Sequence, residues 1–211
     1  MLEFLRRLFR RGSTESLAGL DPLSTRVIVG LGNPGPEYVD TRHNVGFRIA
    51  DVIAARQHAN WQSKPSLHAQ VAVVRGEDRG AVVLVKPQTF MNRSGQSVRQ
   101  VLEFMAIEPQ RCLVVYDEMD LPFGTLRLRE RGGPGTHNGM RSVIAALETE
   151  EIARLRVGIG QSSPGEATNH VLGEFSAEEN EAVREVIERA VEAVLAWAQN
   201  GASVAMNRYN G

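Results

Sequence analysis

The feature that most constrains this chain is an alternation. Short β-branched runs, each closed by glycine, proline or a polar turn, are followed by segments whose apolar residues recur at helical spacing. Val27-Ile28-Val29 ends in Gly30 and suits a strand buried on both faces. Val45, Ile49, Val52 and Ile53 then repeat at helical intervals to about Gln57. Val71 to Arg75 and Val82 to Lys86 flank the turn-rich Glu77-Asp78-Arg79-Gly80 and predict a β-hairpin. Val98, Val101, Leu102 and Met105 predict a second amphipathic helix, and Leu113 to Tyr116 another buried strand. Leu126 and Leu128 alternate with Arg127 and Arg129, as in a strand with one wet face. A Gly-rich stretch, Gly132 to Gly135, opens into a predicted helix from about Asn138 to Leu147, and Arg156 to Ile159 makes a further strand. Ser176-Ala177-Glu178-Glu179 reads as a capping box, starting a helix with Val183, Val186, Ile187, Val191 and Val194 on one stripe. Strands alternating with helices predict an α/β fold: a single domain whose twisted, mixed and mostly parallel sheet carries helices on both faces.

Composition excludes several alternatives. With 42% hydrophobic and 23% charged residues among 211, neither wholesale disorder nor a fibrous rod fits. Cys112 is the single cysteine and lies in an apolar run, so it reads as a buried thiol, and no intramolecular disulfide or Cys-rich metal site is possible. No window approaches 18 consecutive apolar residues, so no membrane-spanning helix is expected. Residues 1–24 show no stable period and are closed off by Pro22, which predicts a flexible N-terminal extension ahead of a domain spanning 25–211. Arg6, Arg7, Arg10 and Arg11 fall in that extension without an uninterrupted apolar run beside them, so a cytoplasmic location is expected. The net charge of −1 hides a mildly basic middle and an acidic end, and all but two of the 24 positive side chains are arginine. Arginine's planar fork suits phosphate oxygens, but a codon bias produces the same excess; charge alone permits an RNA partner without demanding one.

In open α/β sheets ligands bind beyond the carboxyl ends of the strands, and the residues there share a chemistry. After the first strand come Asn33, Tyr38, Arg42, His43 and Asn44; after the 82–86 strand, Thr89-Phe90-Met91-Asn92; after the 113–116 strand, Asp117-Glu118-Met119-Asp120; after the Gly-rich turn, His137-Asn138-Gly139. An imidazole such as His43 can take a proton from water, and a carboxylate such as Asp117 bonded to one ring nitrogen would fix its tautomer. Asp117 alternatively caps the turn that follows it. Asn33, Asn92 and Asn138 offer uncharged donors and acceptors, although each is also an ordinary turn residue. Arg127 and Arg129 either grip phosphates or are simply solvated. Gly30-Leu31-Gly32-Asn33-Pro34-Gly35 matches a dinucleotide fingerprint, but Pro34 removes an amide donor and the acidic residue about 20 positions on, Asp51, falls within a helix.

Taken in order, several segments together resemble the bacterial peptidyl-tRNA hydrolase family from Val27 to Arg208. They are Val29-Gly30-Leu31-Gly32-Asn33-Pro34-Gly35 with Tyr38 and Thr41-Arg42-His43-Asn44, Lys86-Pro87-Gln88-Thr89-Phe90-Met91-Asn92, Asp117-Glu118-Met119-Asp120-Leu121-Pro122, His137-Asn138-Gly139 and Arg154 to Gly160. The resemblance implies a monomeric enzyme, without cofactor, metal or required protein partner, that hydrolyses the ester between peptide and tRNA. It implies that His43 deprotonates water, that Asp117 supports it, and that Asn33 distinguishes blocked from free α-amino groups. Tyr38, Phe90, Asn92 and Asn138 would line the site for the peptide and the 3′ end; Arg127 and Arg129 would face the acceptor stem, with Arg141 and Arg156 as weaker candidates. The stretch from Arg131 to Thr136 is less uniformly glycine than the family pattern. A non-catalytic RNA-binding protein on the same scaffold and a nucleotide-dependent oxidoreductase are the competing classes; a binder has no need of a poised base, and the oxidoreductase requires stable NAD binding.

Overall fold

The strands β1 (Arg26–Gly30), β2 (Gln62–Lys64), β3 (Ala69–Arg75), β4 (Ala81–Pro87), β5 (Cys112–Glu118), β6 (Leu126–Arg129) and β7 (Ala153–Gly158) form one sheet in the order β2-β3-β4-β1-β5-β7-β6. This is a computed structural model, and it describes residues 17, 19–75 and 80–211. The central strands β4, β1, β5 and β7 run parallel. On one side β3 and then β2 add antiparallel, and on the other side β6 does the same. The sheet is therefore mixed, with its parallel character concentrated at the centre. The helices are α1 (Val45–Arg56), α2 (Ser94–Met105), α3 (Asn138–Leu147), α4 (Ala167–Leu172), α5 (Ala177–Asn200) and α6 (Ala202–Tyr209).

Because successive strand residues point to opposite faces, the β-branched runs feed two cores at once. Ile28, Leu84, Leu113 and Val115 pack with Val45, Ile49 and Ile53 of α1 and with Val183, Ile187, Val191 and Val194 of α5. Val27, Val29, Val83, Val85 and Val114 pack with Val98, Val101 and Leu102 of α2 and with Met140 and Val143 of α3. Burying such a side chain contributes about 1.5–3 kcal/mol, which is why the helical stripes select these faces. The capping box at α5 is present: Ser176 Oγ accepts the Glu179 amide, and Glu179 Oε2 accepts the Ser176 amide at 2.7 Å. Cys112 is buried as a free thiol, and burial pushes it up to about 12, so it is inert at neutral pH.

Two contacts position the functional end of the sheet. Gly30 and Gly46 bring β1 and the start of α1 together at backbone distance: a Cβ on either would overlap backbone atoms, Gly46 O in one case and Leu31 and Val115 O in the other. The crossovers also diverge, since β1 leads to a helix on one face and its neighbour β4 to a helix on the opposite face. A crevice opens where adjacent parallel strands part in this way.

Of the extension expected at 1–24, residues 1–16 and 18 lie outside the described residues, as does Glu77-Asp78-Arg79 of the hairpin turn. Leu17 is buried and Leu20 partly buried against the α2 and α3 core, because two apolar side chains three residues apart find that face open. No helix among the described residues is long and apolar enough to cross a membrane.

Candidate active site

Asp117 occupies the end of β5, where the buried strand has run past the apolar layers, and it is only 1% exposed. Two imidazoles reach it from opposite sides of the sheet. His43 comes from the turn that starts α1, and its Nδ1 lies 2.9 Å from Oδ1 and 3.0 Å from Oδ2. His137 comes from the start of α3, and its Nε2 lies 3.1 Å from Oδ1. A carboxylate only accepts, so both ring nitrogens carry hydrogen and donate. Burial alone would push the Asp117 carboxyl up; the two imidazoles and their hydrogen bonds outweigh it and hold the group well below the ordinary carboxylate range. Asp117 is thus an anion that orients rings, and the reading of it as a turn cap is set aside. With Nδ1 committed, His43 Nε2 has no hydrogen-bond partner among the described residues and is open to a cavity of about 300 Å³. His43, Asp117, Glu118, Thr136, His137 and Asn138 line that cavity, and α4 closes it with Ala167, Thr168 and Val171.

Asn33 belongs to the neighbouring crevice. The buried Asn44, next to His43, locks its backbone from both sides: Asn44 Oδ1 accepts the Asn33 amide at 2.8 Å, and Asn44 Nδ2 donates to the Asn33 carbonyl at 3.0 Å. Asn33 Oδ1 accepts the Met91 amide at 2.8 Å, which binds the turn after β1 to the turn after β4 and leaves its NH₂ without a partner among the described residues. Tyr38 and Phe90 meet edge to face, with ring centroids 6.3 Å apart, and Phe90 is 55% exposed. Asn92 is exposed on the same turn as Met91. Asn138 is exposed at the first position of α3, where Arg141 Nη1 donates to its Oδ1 at 3.1 Å. The structure therefore joins His43, Asp117 and Asn138 around one cavity, and ties Asn33 to the turn that carries Phe90 and Asn92.

The arginines divide sharply. Arg127 pairs across the sheet with Arg156, and Arg129 with Arg154. Arg156 is bound to Glu118 at 2.7 Å, which removes it as a free phosphate ligand. Arg154 is buried and donates to the carbonyls of Gly132, Gly133, Glu150 and Ile152. Arg141 is bonded to Asn138 and to the Gly135 carbonyl. Arg127 and Arg129 make no hydrogen bond or ion pair among the described residues.

Two residues of the site escaped sequence reasoning. The sequence places His137 and Asn44 beside the site without assigning either a role; Thr136-His137-Asn138 at the start of a predicted helix is the available signal for His137. His43, Asp117 and His137 have donor atoms close enough together to suggest a metal site. The hydrogen bonds argue for protons instead: the Met140 amide donates to His137 Nδ1 at 3.1 Å, so the neutral ring must carry its hydrogen on Nε2, where a metal would need a lone pair.

A buried imidazole–carboxylate pair, one ring nitrogen free beside a cavity, is an arrangement suited to a hydrolase. Comparison with known proteins agrees. The family model described as peptidyl-tRNA hydrolase matches residues 27–211. The peptidyl-tRNA hydrolase of Alkaliphilus oremlandii is 45% identical over 185 residues, covering 88% of this chain and 99% of that one. That of Chloroflexus aggregans is 48% identical over 188 residues, covering 87% and 98%. The crystal structure of peptidyl-tRNA hydrolase from Acinetobacter baumannii matches with a TM-score of 0.82 at 37% identity, covering 89% of this chain and 95% of that one. The chain belongs to the peptidyl-tRNA hydrolase family.

Proposed function

We propose that this protein hydrolyses the ester joining a peptide, or an N-blocked amino acid, to tRNA, by direct attack of water. The carrying observation is His43 held by its Nδ1–H on a buried, ionised Asp117, with Nε2 facing the cavity. Nε2 takes a proton from water as the oxygen attacks the ester carbonyl, and Asp117 stabilises the imidazolium that forms. Collapse of the tetrahedral intermediate breaks the bond to the ribose oxygen, which leaves with the proton returned from Nε2. The products are a peptide carboxylate and a tRNA with a free terminal hydroxyl. No side-chain nucleophile and no metal is needed for this sequence.

Asn33 supplies selectivity in this reading. Its oxygen is occupied by the Met91 amide, so it presents only N–H donors to the groove. Donors welcome an acyl carbonyl and repel an ammonium, which favours blocked over free aminoacyl groups. Tyr38, Phe90, Asn92 and Asn138 line the path of the peptide and the 3′ end, the exposed aromatic pair offering stacking area. Arg127 and Arg129 contact acceptor-stem phosphates. The enzyme acts as a monomer in the cytoplasm, without a protein partner.

The test is hydrolysis of N-acetyl-aminoacyl-tRNA and of free aminoacyl-tRNA by protein treated with a chelator. Rapid release of tRNA from the blocked substrate alone is expected. Equal turnover of both substrates, or turnover that requires an added metal, overturns the reading.

A further inference from the structure

Asp117 serves two imidazoles, and only one of them can cycle a proton. His43 has a free ring nitrogen open to the cavity. His137 has none: Nε2 donates to Asp117 Oδ1, and Nδ1 is the N-cap acceptor of α3, taking the Met140 amide at the third helical position. Protonating Nδ1 would break that cap and place a cation at the positive end of a helix, and both are costs. Its position is closely built. Tyr116 lies against it with ring centroids 4.6 Å apart, and a Cβ on Gly139 would crowd both its Cε1 and Met91.

We propose that His137 is a positioning residue for the water-activating pair: fixed as a neutral donor by the first turn of α3, it occupies one lone pair of Asp117 and so limits how strongly that carboxylate grips the proton on His43. The proposal rests on the reading of His43 as the base. A carboxylate that shares one oxygen with a second N–H has less charge left for the first. His137 thereby keeps the imidazolium stable enough to form and weak enough to give its proton back to the leaving oxygen. The charged and titratable groups around this pair are Asp117, Tyr116 and Glu118 from β5, Asp120 from the loop after it, and, from β7, Arg156 bound to Glu118 and Arg154 near Tyr116. The wall from α4 contributes Ala167, Thr168 and Val171, none of them charged.

The experiment is the pH profile of kcat/KM on N-acetyl-aminoacyl-tRNA for wild type, His137→Phe, His137→Gln and His43→Ala, each checked for cooperative thermal unfolding. Phenylalanine keeps the ring and removes both nitrogens; glutamine restores a donor to Asp117. In His137→Phe the acid limb is expected to move to higher pH by about half a unit to one unit, because Asp117 then serves His43 alone. His137→Gln is expected to return the limb to within a few tenths of a unit of wild type. An acid limb that stays in place or moves down in His137→Phe, or a shift that glutamine leaves uncorrected, overturns the proposal. His43→Ala separates the two readings: wild-type turnover in that variant overturns the base assignment itself, whatever the His137 variants show.

Discussion

Two parts of the functional surface use charge in opposite ways. At the end of β5, His43, Asp117 and His137 are each less than a tenth exposed, and Asp117 takes its hydrogen bonds from the two rings. Two strands away, roughly 10 Å across the sheet, Arg127 and Arg129 stand on β6 without a partner among the described residues. Between them lies β7, whose own arginines are already engaged, Arg156 with Glu118 and Arg154 with four backbone carbonyls. The difference teaches that a charged group committed inside the protein fixes geometry, whereas one left uncommitted at an edge is available to a ligand. Committed and uncommitted charges thereby sit on separate strands.

That division can be broken most severely at the buried end. His43→Ala is expected to lower kcat by about 10²–10⁴-fold with KM little changed, as for loss of a general base; single-turnover kinetics would show it, and a change confined to KM would erase the distinction between the two regions. A smaller effect of the opposite kind is expected at the edge. Replacing Arg127 and Arg129 together by alanine should raise KM about tenfold and leave kcat alone. It should also flatten the salt dependence of tRNA binding by about 1.4–1.8 in log–log slope, the contribution of two phosphate contacts. An unaltered slope in a filter-binding titration would place the RNA contacts elsewhere. The smallest effect concerns stability. Asp117 titrates lower in the folded protein than its ordinary value of 3.8, so the unfolded chain binds more protons in acid and stability falls as pH drops. That contribution is complete above about pH 5 and is lost progressively below it. Denaturant titrations between pH 5 and 2 should therefore show a shallower loss for Asp117→Asn than for wild type.

Much of this was legible in the sequence because it is local. The helix predicted from Asn138 to Leu147 has those bounds, and Ser176 and Glu179 cap α5 as their spacing indicates. Elements without a pattern were missed. β2 is the polar tripeptide Gln62-Ser63-Lys64, α4 is six residues with none buried, and α6 is separated from α5 by the single residue Gly201. His137 was overlooked because Thr136 and Asn138 on either side are the commoner capping types, and because its other partner lies 20 residues back on β5. The arginines show the limit most clearly. Leu126-Arg127-Leu128-Arg129 and Arg154-Leu155-Arg156 have the same alternation, and only the pairing of β6 with β7 and the reach of Glu118 decide which side chains remain free.

The meeting of Gly30 with Gly46 has a consequence for how such an enzyme can change. The stretch carrying His43 is set against β1 and β5 by main chain touching main chain, with no side chain between them whose size could be adjusted. Substitution there offers no graded series of intermediates, only the native spacing or its loss. Adaptation to new temperatures or substrates is thereby channelled to the rims of the groove, while the stretch carrying His43 keeps the one spacing that bare backbone allows.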